Sequence, residues 1–164
     1  MAHSNFISII DYQFIVGAIE LESSIFGVRE PGLLIIGAID PKLSTAGAIQ
    51  PKISISGARE LESSIFGAKE PEILIVGAIN HELSFSGAIE FELTIPGAIE
   101  SPNYQISALE EPKILIVGAI DPELSIPGAI VPKLSISGAT EPELSISVAR
   151  EPELSITSAI EYKL

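Results

Sequence analysis

Cysteine and tryptophan are missing from this chain, methionine occurs once and histidine only twice, so the side chains most used for metal binding and nucleophilic chemistry are scarce. Without thiols, neither a disulfide nor a thiolate metal centre can hold the fold together, and the redox compartment leaves no trace in the composition. Packing must supply the stability. Aromatic residues make up 5% of the 164 positions, which points to an interior of aliphatic layers. Cations are sparse too: nine Lys and Arg stand singly against 22 Asp and Glu, a net charge of −13. Phosphate recognition needs clustered Lys and Arg, so no nucleic-acid partner is expected, and an anionic membrane surface is disfavoured for the same reason. Gly, Pro or a charge interrupts every apolar run well short of the ~20 residues of a spanning helix, so no membrane insertion is expected. The start, Met-Ala-His-Ser-Asn-Phe, has no basic region followed by an apolar core, and cytosolic synthesis without a Sec-type signal is the expectation.

What is present is a repeat. A ten-residue unit close to Gly-Ala-Ile-Glu-Pro-Glu-Leu-Ser-Ile-Ser runs through the chain, and twelve of the 13 glycines stand at its first position. Units open at Gly17 and every tenth residue to Gly97, then at Ser107, and after one inserted residue at Gly118, Gly128, Gly138, Val148 and Ser158. Proline recurs at the fifth position, as in Pro41, Pro51, Pro122 and Pro142. Helix is excluded, because Gly and Pro at that spacing would break every second or third turn. The remaining segment alternates apolar residues with serine, the period of a half-buried strand. Leu and Ile at the seventh and ninth positions, together with Ile39, Ile49, Ile79, Ile89, Ile120 and Ile130 at the third, are expected to form the core ladder. The serines face outward, and the Glu-Pro-Glu or Asp-Pro-Lys stretches are solvated bends. Alanine holds the second position in every unit except that of Val28, which suggests close backbone approach.

A second period overlies the first, since residues 17–56 match 57–96 unit for unit. The strands 33–36, 73–76 and 114–117 are apolar on both faces and are expected to be covered on both sides. Self-similarity at so short a period predicts an all-β stacked architecture for residues 17–164, in which each unit is completed by its neighbours. Three arrangements fit. The first is a β-solenoid whose coil takes two units, or four. The second is an intertwined trimeric β fibre, which resembles in general style the triple β-spiral shafts of viral fibres. The third is a sandwich or propeller of four-stranded modules. Residues 1–16 form an atypical strand segment, either a cap or an assembly strand. Its candidate contact residues are Phe6, Ile7, Ile9, Ile10, Tyr12, Phe14 and Val16, to which the two-sided strands add Leu34, Ile36, Leu74 and Val76.

Chemistry finds little support. His3 and His81 have no neighbouring ligands in the sequence, so no zinc site or triad is expected. Glu70 with Glu72, Glu141 with Glu143 and Glu151 with Glu153 flank prolines, but glutamates about a rigid proline do not make a calcium loop, and they read as charged turns. No catalytic, cofactor-binding or metal residue is assigned. The expected function is a self-assembling fibre or filament subunit of an appendage, spore or virion, its partner being itself. The alternative is a repeat-scaffold module that docks an unidentified protein or glycan through the two-sided strands and the bases Arg29, Lys69 and Arg150.

Overall fold

The computed structural model describes residues 3–6, 12–27, 29–88, 90, 92–97, 100, 102–107, 110–129, 131–147, 150 and 152–157, with residues 3–6 and 12 described by their backbone alone. Among them are His3–Phe6 (β1), Tyr12–Val16 (β2), Glu20–Phe26 (β3), Gly32–Ile36 (β4), Asp40–Ala46 (β5), Lys52–Ser56 (β6), Glu60–Phe66 (β7), Glu72–Val76 (β8), Asn80–Ser86 (β9), Glu92–Pro96 (β10), Asn103–Ser107 (β11), Lys113–Val117 (β12), Glu123–Pro127 (β13), Lys133–Ser137 (β14), Glu143–Ser147 (β15) and Glu153–Thr157 (β16). Odd-numbered strands make one sheet of eight and even-numbered strands another. Every neighbouring pair is parallel.

Parallel strands need a long crossover between them, and here the crossover is a strand of the opposite sheet with a corner on either side. The result is a parallel β-solenoid with a repeat of about 20 residues and about seven turns. One odd strand and the following even strand form a layer, numbered 1 to 8 in chain order. At about 4.8 Å per layer, the stack rises through about 34 Å from first to last. The N-terminal segment adds one strand to each sheet in the same parallel sense, Phe6 pairing with Ser24 and Tyr12 with Gly32.

Each decapeptide divides into a corner and a strand for local reasons. The first-position glycines all take a left-handed φ between 61° and 75°, a region costly for any residue with a side chain. Their N–H groups continue the ladder around the bend, Gly57 donating to the Val76 carbonyl at 2.9 Å and Gly87 to that of Ser107 at 3.0 Å. A Cβ at Gly87 would lie 3.7 Å from the Gly67 backbone, so the positive φ and not crowding restricts that site. Alanine follows because its methyl turns inward at the corner, and Ala38, Ala78, Ala88 and Ala129 are buried. Proline also turns inward: Pro41, Pro51, Pro71, Pro102, Pro122 and Pro142 are buried, so the expected solvated bend is instead a corner whose ring joins the core. Its carbonyl still accepts from the layer above, as from Glu92 to Pro71 at 3.0 Å, and only the missing N–H departs from the ladder.

The seventh and ninth positions fill the interior as expected, with Ile35, Ile75, Ile95, Ile116 and Ile126 fully buried. The third position does not. Ile39 and Ile49 are 45% exposed and Ile120 46%, because that residue sits on the outside of the corner whose inner side alanine already occupies. Ile79 is half-buried, and Ile89 and Ile130 lie outside the described residues. A further correction concerns serine. Ser23 and Ser63 point inward in the odd sheet, where Leu21 and Leu61 stand in the proline position, and the neighbouring Pro41–Leu43 reverses that order of small and large. Bulk thus alternates between layers along the core, as close packing requires.

The four-unit period covers two layers, not one coil. The inserted residue is also displaced from the position expected of it. Glu82 pairs with Asn103 and Glu92 with Lys113, each 21 residues on, while Asn103 pairs with Glu123 at 20. The extra residue therefore lies between Pro96 and Asn103, and Ser107 ends a strand opposite Ser86 instead of opening a unit.

Candidate assembly surfaces and a buried His–Tyr pair

Strand alternation sends positions six, eight and ten outward, and in register they form continuous rows. On the odd sheet the sixth-position row is Glu22, Lys42, Glu62, Glu82, Asn103, Glu123 and Glu143, and the eighth is Ser or Gln throughout. On the even sheet the sixth-position row from layer 3 onward is Lys52, Glu72, Glu92, Lys113, Lys133 and Glu153. Opposite charges one layer apart meet: Lys52 Nζ lies 3.1 Å from Glu72, Lys113 Nζ 2.8 Å from Glu92 and Lys133 Nζ 3.6 Å from Glu153. On the odd sheet Lys42 donates to Glu62 at 3.2 Å. The Glu62 and Glu92 partners raise the pKa of Lys42 and Lys113 through these hydrogen bonds. All are solvent-exposed pairs that add little to stability, and their main effect is to relieve like-charge stacking.

Beyond the charges, the even sheet alternates in character from layer to layer. Leu34 with Ile36, Leu74 with Val76 and Leu115 with Val117 are separated by Ser54 with Ser56 and by Thr94 with Pro96. Among the described residues nothing covers these apolar pairs: Leu74 is 40% exposed and Val117 36%. The expectation that the two-sided strands are covered on both faces therefore fails for a single chain. Phe14 and Val16 lie on the same face in layer 1 and are also exposed. A shallow trough of about 550 Å³ runs across layers 1 to 5 of this face, its floor including Leu34, Ser54 and Leu74. Of the other sequence candidates, Phe6 and Tyr12 are placed by backbone pairing in β1 and β2, whereas Ile7, Ile9 and Ile10 lie outside the described residues. Arg29, Lys69 and Arg150 stand exposed at the corners between odd and even strands, the first two beside Glu30 and Glu70.

One polar pair in the core has no counterpart in the sequence reading. His81, in the proline position of layer 5, and Tyr104, in the leucine position of layer 6, are buried, with Nε2 and Oη 2.6 Å apart. The rings are tilted at 57° with centroids 5.2 Å apart. Burial pushes the His81 pKa down to about 4 and raises that of the Tyr104 phenol. Both are therefore neutral near pH 7, and among the described residues the Nδ1 of His81 has no hydrogen-bond partner. Neither ring can meet a solute, so the pair is a packing element that replaces Pro and Leu where the coil takes its extra residue. The signal was there to read: two substitutions of consensus positions next to the one break in the period.

Among the described residues no group of His, Asp and Glu is arranged to hold a metal ion, and no helix is long and apolar enough to cross a membrane. No protein-family model matches this chain, and no curated protein or solved structure is significantly similar to it.

Proposed function

We propose that this chain is a structural protein, not an enzyme: a subunit of a fibre or filament whose role is length and stiffness. The observation that carries the reading is the unbroken parallel register of both sheets, with each layer offering the next the same ladder of amides, carbonyls and inward Leu and Ile. Stability in such a stack grows layer by layer through nearest-neighbour contacts. At layer 8, Leu154 is 42% exposed where Leu134 below it is 3%, and a further layer, from another subunit or from more chain, would bury it. In this reading subunits join through the N-terminal strands and the terminal repeats. Electron microscopy of the purified chain should show uniform unbranched fibres, with an axial repeat near ~4.8 Å in diffraction. A monodisperse monomer at high concentration would refute the proposal.

A second reading, a scaffold that docks a protein or glycan, is favoured by the trough on the even sheet. Serine at Leu34, Ile36, Leu74 and Val76 separates the two. Lost partner capture with intact fibres supports docking, and collapse of the fibres supports packing surfaces.

A further inference from the structure

The even sheet's outer face differs from the rest of this acidic molecule in being balanced in charge. Its sixth-position row from layer 3 to layer 8 holds three Lys and three Glu, whereas the corresponding row of the odd sheet holds four Glu, one Lys and one Asn. It also has relief, with apolar pairs in layers 4 and 6 standing between layers of Ser, Thr and Pro. A face that is neutral, ridged and partly apolar can meet a copy of itself, whereas an acidic serine face repels its own copy.

We infer that two copies of this chain pack even sheet to even sheet about a two-fold axis parallel to the strands, setting layers 3, 4 and 5 of one copy against layers 8, 7 and 6 of the other. Rotation about that axis keeps strand direction and reverses layer order, so each sixth-position residue faces another sixth-position residue. In this register every charged pair is opposite in sign: Lys52 faces Glu153, Glu72 faces Lys133 and Glu92 faces Lys113. The same register sets relief against recess. Leu74 and Val76 meet Ser135 and Ser137, and Leu115 and Val117 meet Thr94 and Pro96. Two independent patterns, charge and bulk, thus select one arrangement.

The alternatives are worse on one count or both. Sliding by one layer puts apolar ridge on apolar ridge. Sliding by two, so that layer 3 faces layer 6, opposes Lys52 to Lys113 and Glu72 to Glu92. Sliding two further, so that layer 3 faces layer 4, leaves Lys52 with Glu72 as its sole pair of opposite charges. An axis along the stack would place each Leu against its own copy and the Lys and Glu row against Val76 and Val117. With strands of five residues and six layers in contact, the footprint is about 17 by 29 Å, or roughly 1,000 Å² over both copies. That is the lower bound for a specific interface, so a micromolar dimer is expected, and polar rim charges fix its register more than its strength. The contact is sideways, and it stands whether or not subunits also join end to end.

Charge reversal tests it, because the register predicts which variants rescue each other. In ~0.1 M salt, sedimentation velocity of the full chain should show a concentration-dependent dimer. Lys133→Glu alone faces Glu72 with Glu, and Glu72→Lys alone faces Lys133 with Lys, so each should self-associate on the order of tenfold more weakly. Mixed in equal amounts, the two variants restore opposite charges at both contacts and should return to dimer near the original strength. Circular dichroism checks that each remains folded, and Lys52→Glu with Glu153→Lys offers a second pair at layers 3 and 8. A wild-type chain that stays monomeric, filaments one subunit wide with no paired form, or folded variants whose mixture fails to associate would overturn the inference. The filament case leaves the proposed function standing.

Discussion

Lowering the pH probes the histidine buried in the solenoid. His81 is 2% exposed and burial holds its pKa at about 4, against 6.5 for a free imidazole. Below pH 6.5 the unfolded chain takes up a proton that the folded chain refuses until about pH 4, so the balance tilts toward unfolding across that window. The contribution is complete above pH 6.5, is lost as pH falls, and levels off below about 4. A displacement of that size corresponds to about 3 kcal/mol, a large part of the stability of a single domain. The comparison is with His81→Leu/Tyr104→Phe, since Leu61 fills the equivalent seat one layer earlier and Phe keeps the ring of Tyr104. Urea denaturation followed by circular dichroism at pH 7.5, 5.5 and 4.0 should show the wild type losing about 3 kcal/mol more than the variant, because carboxylate effects are common to both. Proton resonance of the His81 ring gives a direct check free of any two-state assumption. Parallel pH profiles for the two proteins, or a ring that titrates near 6.5 in the folded chain, would refute the argument that desolvation governs this site.

Three further substitutions probe the layers. Ile75→Ala, at a fully buried ninth position, should cost about 2–4 kcal/mol in thermal or urea denaturation, whereas Ile39→Ser, on the exposed outside of a corner, should stay within about 0.5 kcal/mol. Ala78→Leu should destabilise by about 1–3 kcal/mol, because a corner methyl with no exposed surface has no room to grow. Gly87→Ala should cost about 1–2 kcal/mol through its φ of 71°, and Gly87→Asn, which tolerates that region better, should cost less; equal losses would point to crowding instead.

The coil was legible because its two signals agree. Glycine at ten-residue spacing marks corners, and Leu-Ser-Ile alternation between them marks half-buried strands, while the choice of two units per turn over four rests on the pairing of strands 20 residues apart. Less visible was which way corner residues face. Ile39 and Pro41 both lie at a bend, and ordinary expectation puts isoleucine inside and proline outside. The left-handed glycine instead rotates alanine and proline inward and turns isoleucine to solvent. Ser23 misled for a similar reason: its inward face depends on Leu21 taking the proline seat, a trade between positions that periodicity averages away. The His81–Tyr104 contact spans 23 residues and two layers, and it appears only once the register through the extra residue is known. The even-sheet rows were present in the sequence as the four-unit period, whose meaning emerged when alternate units proved to share one face.

Because successive decapeptides belong to opposite sheets, gene-level length changes have two distinct outcomes. Duplication or loss of twenty residues lengthens or shortens the rod by one step and leaves every downstream unit in its own sheet. A change of ten transposes everything downstream, carrying the acidic serine surface to the side where the neutral ridged one belongs. Unequal recombination within such an array should therefore leave survivors in multiples of two units, a bias that length variants of this gene can reveal.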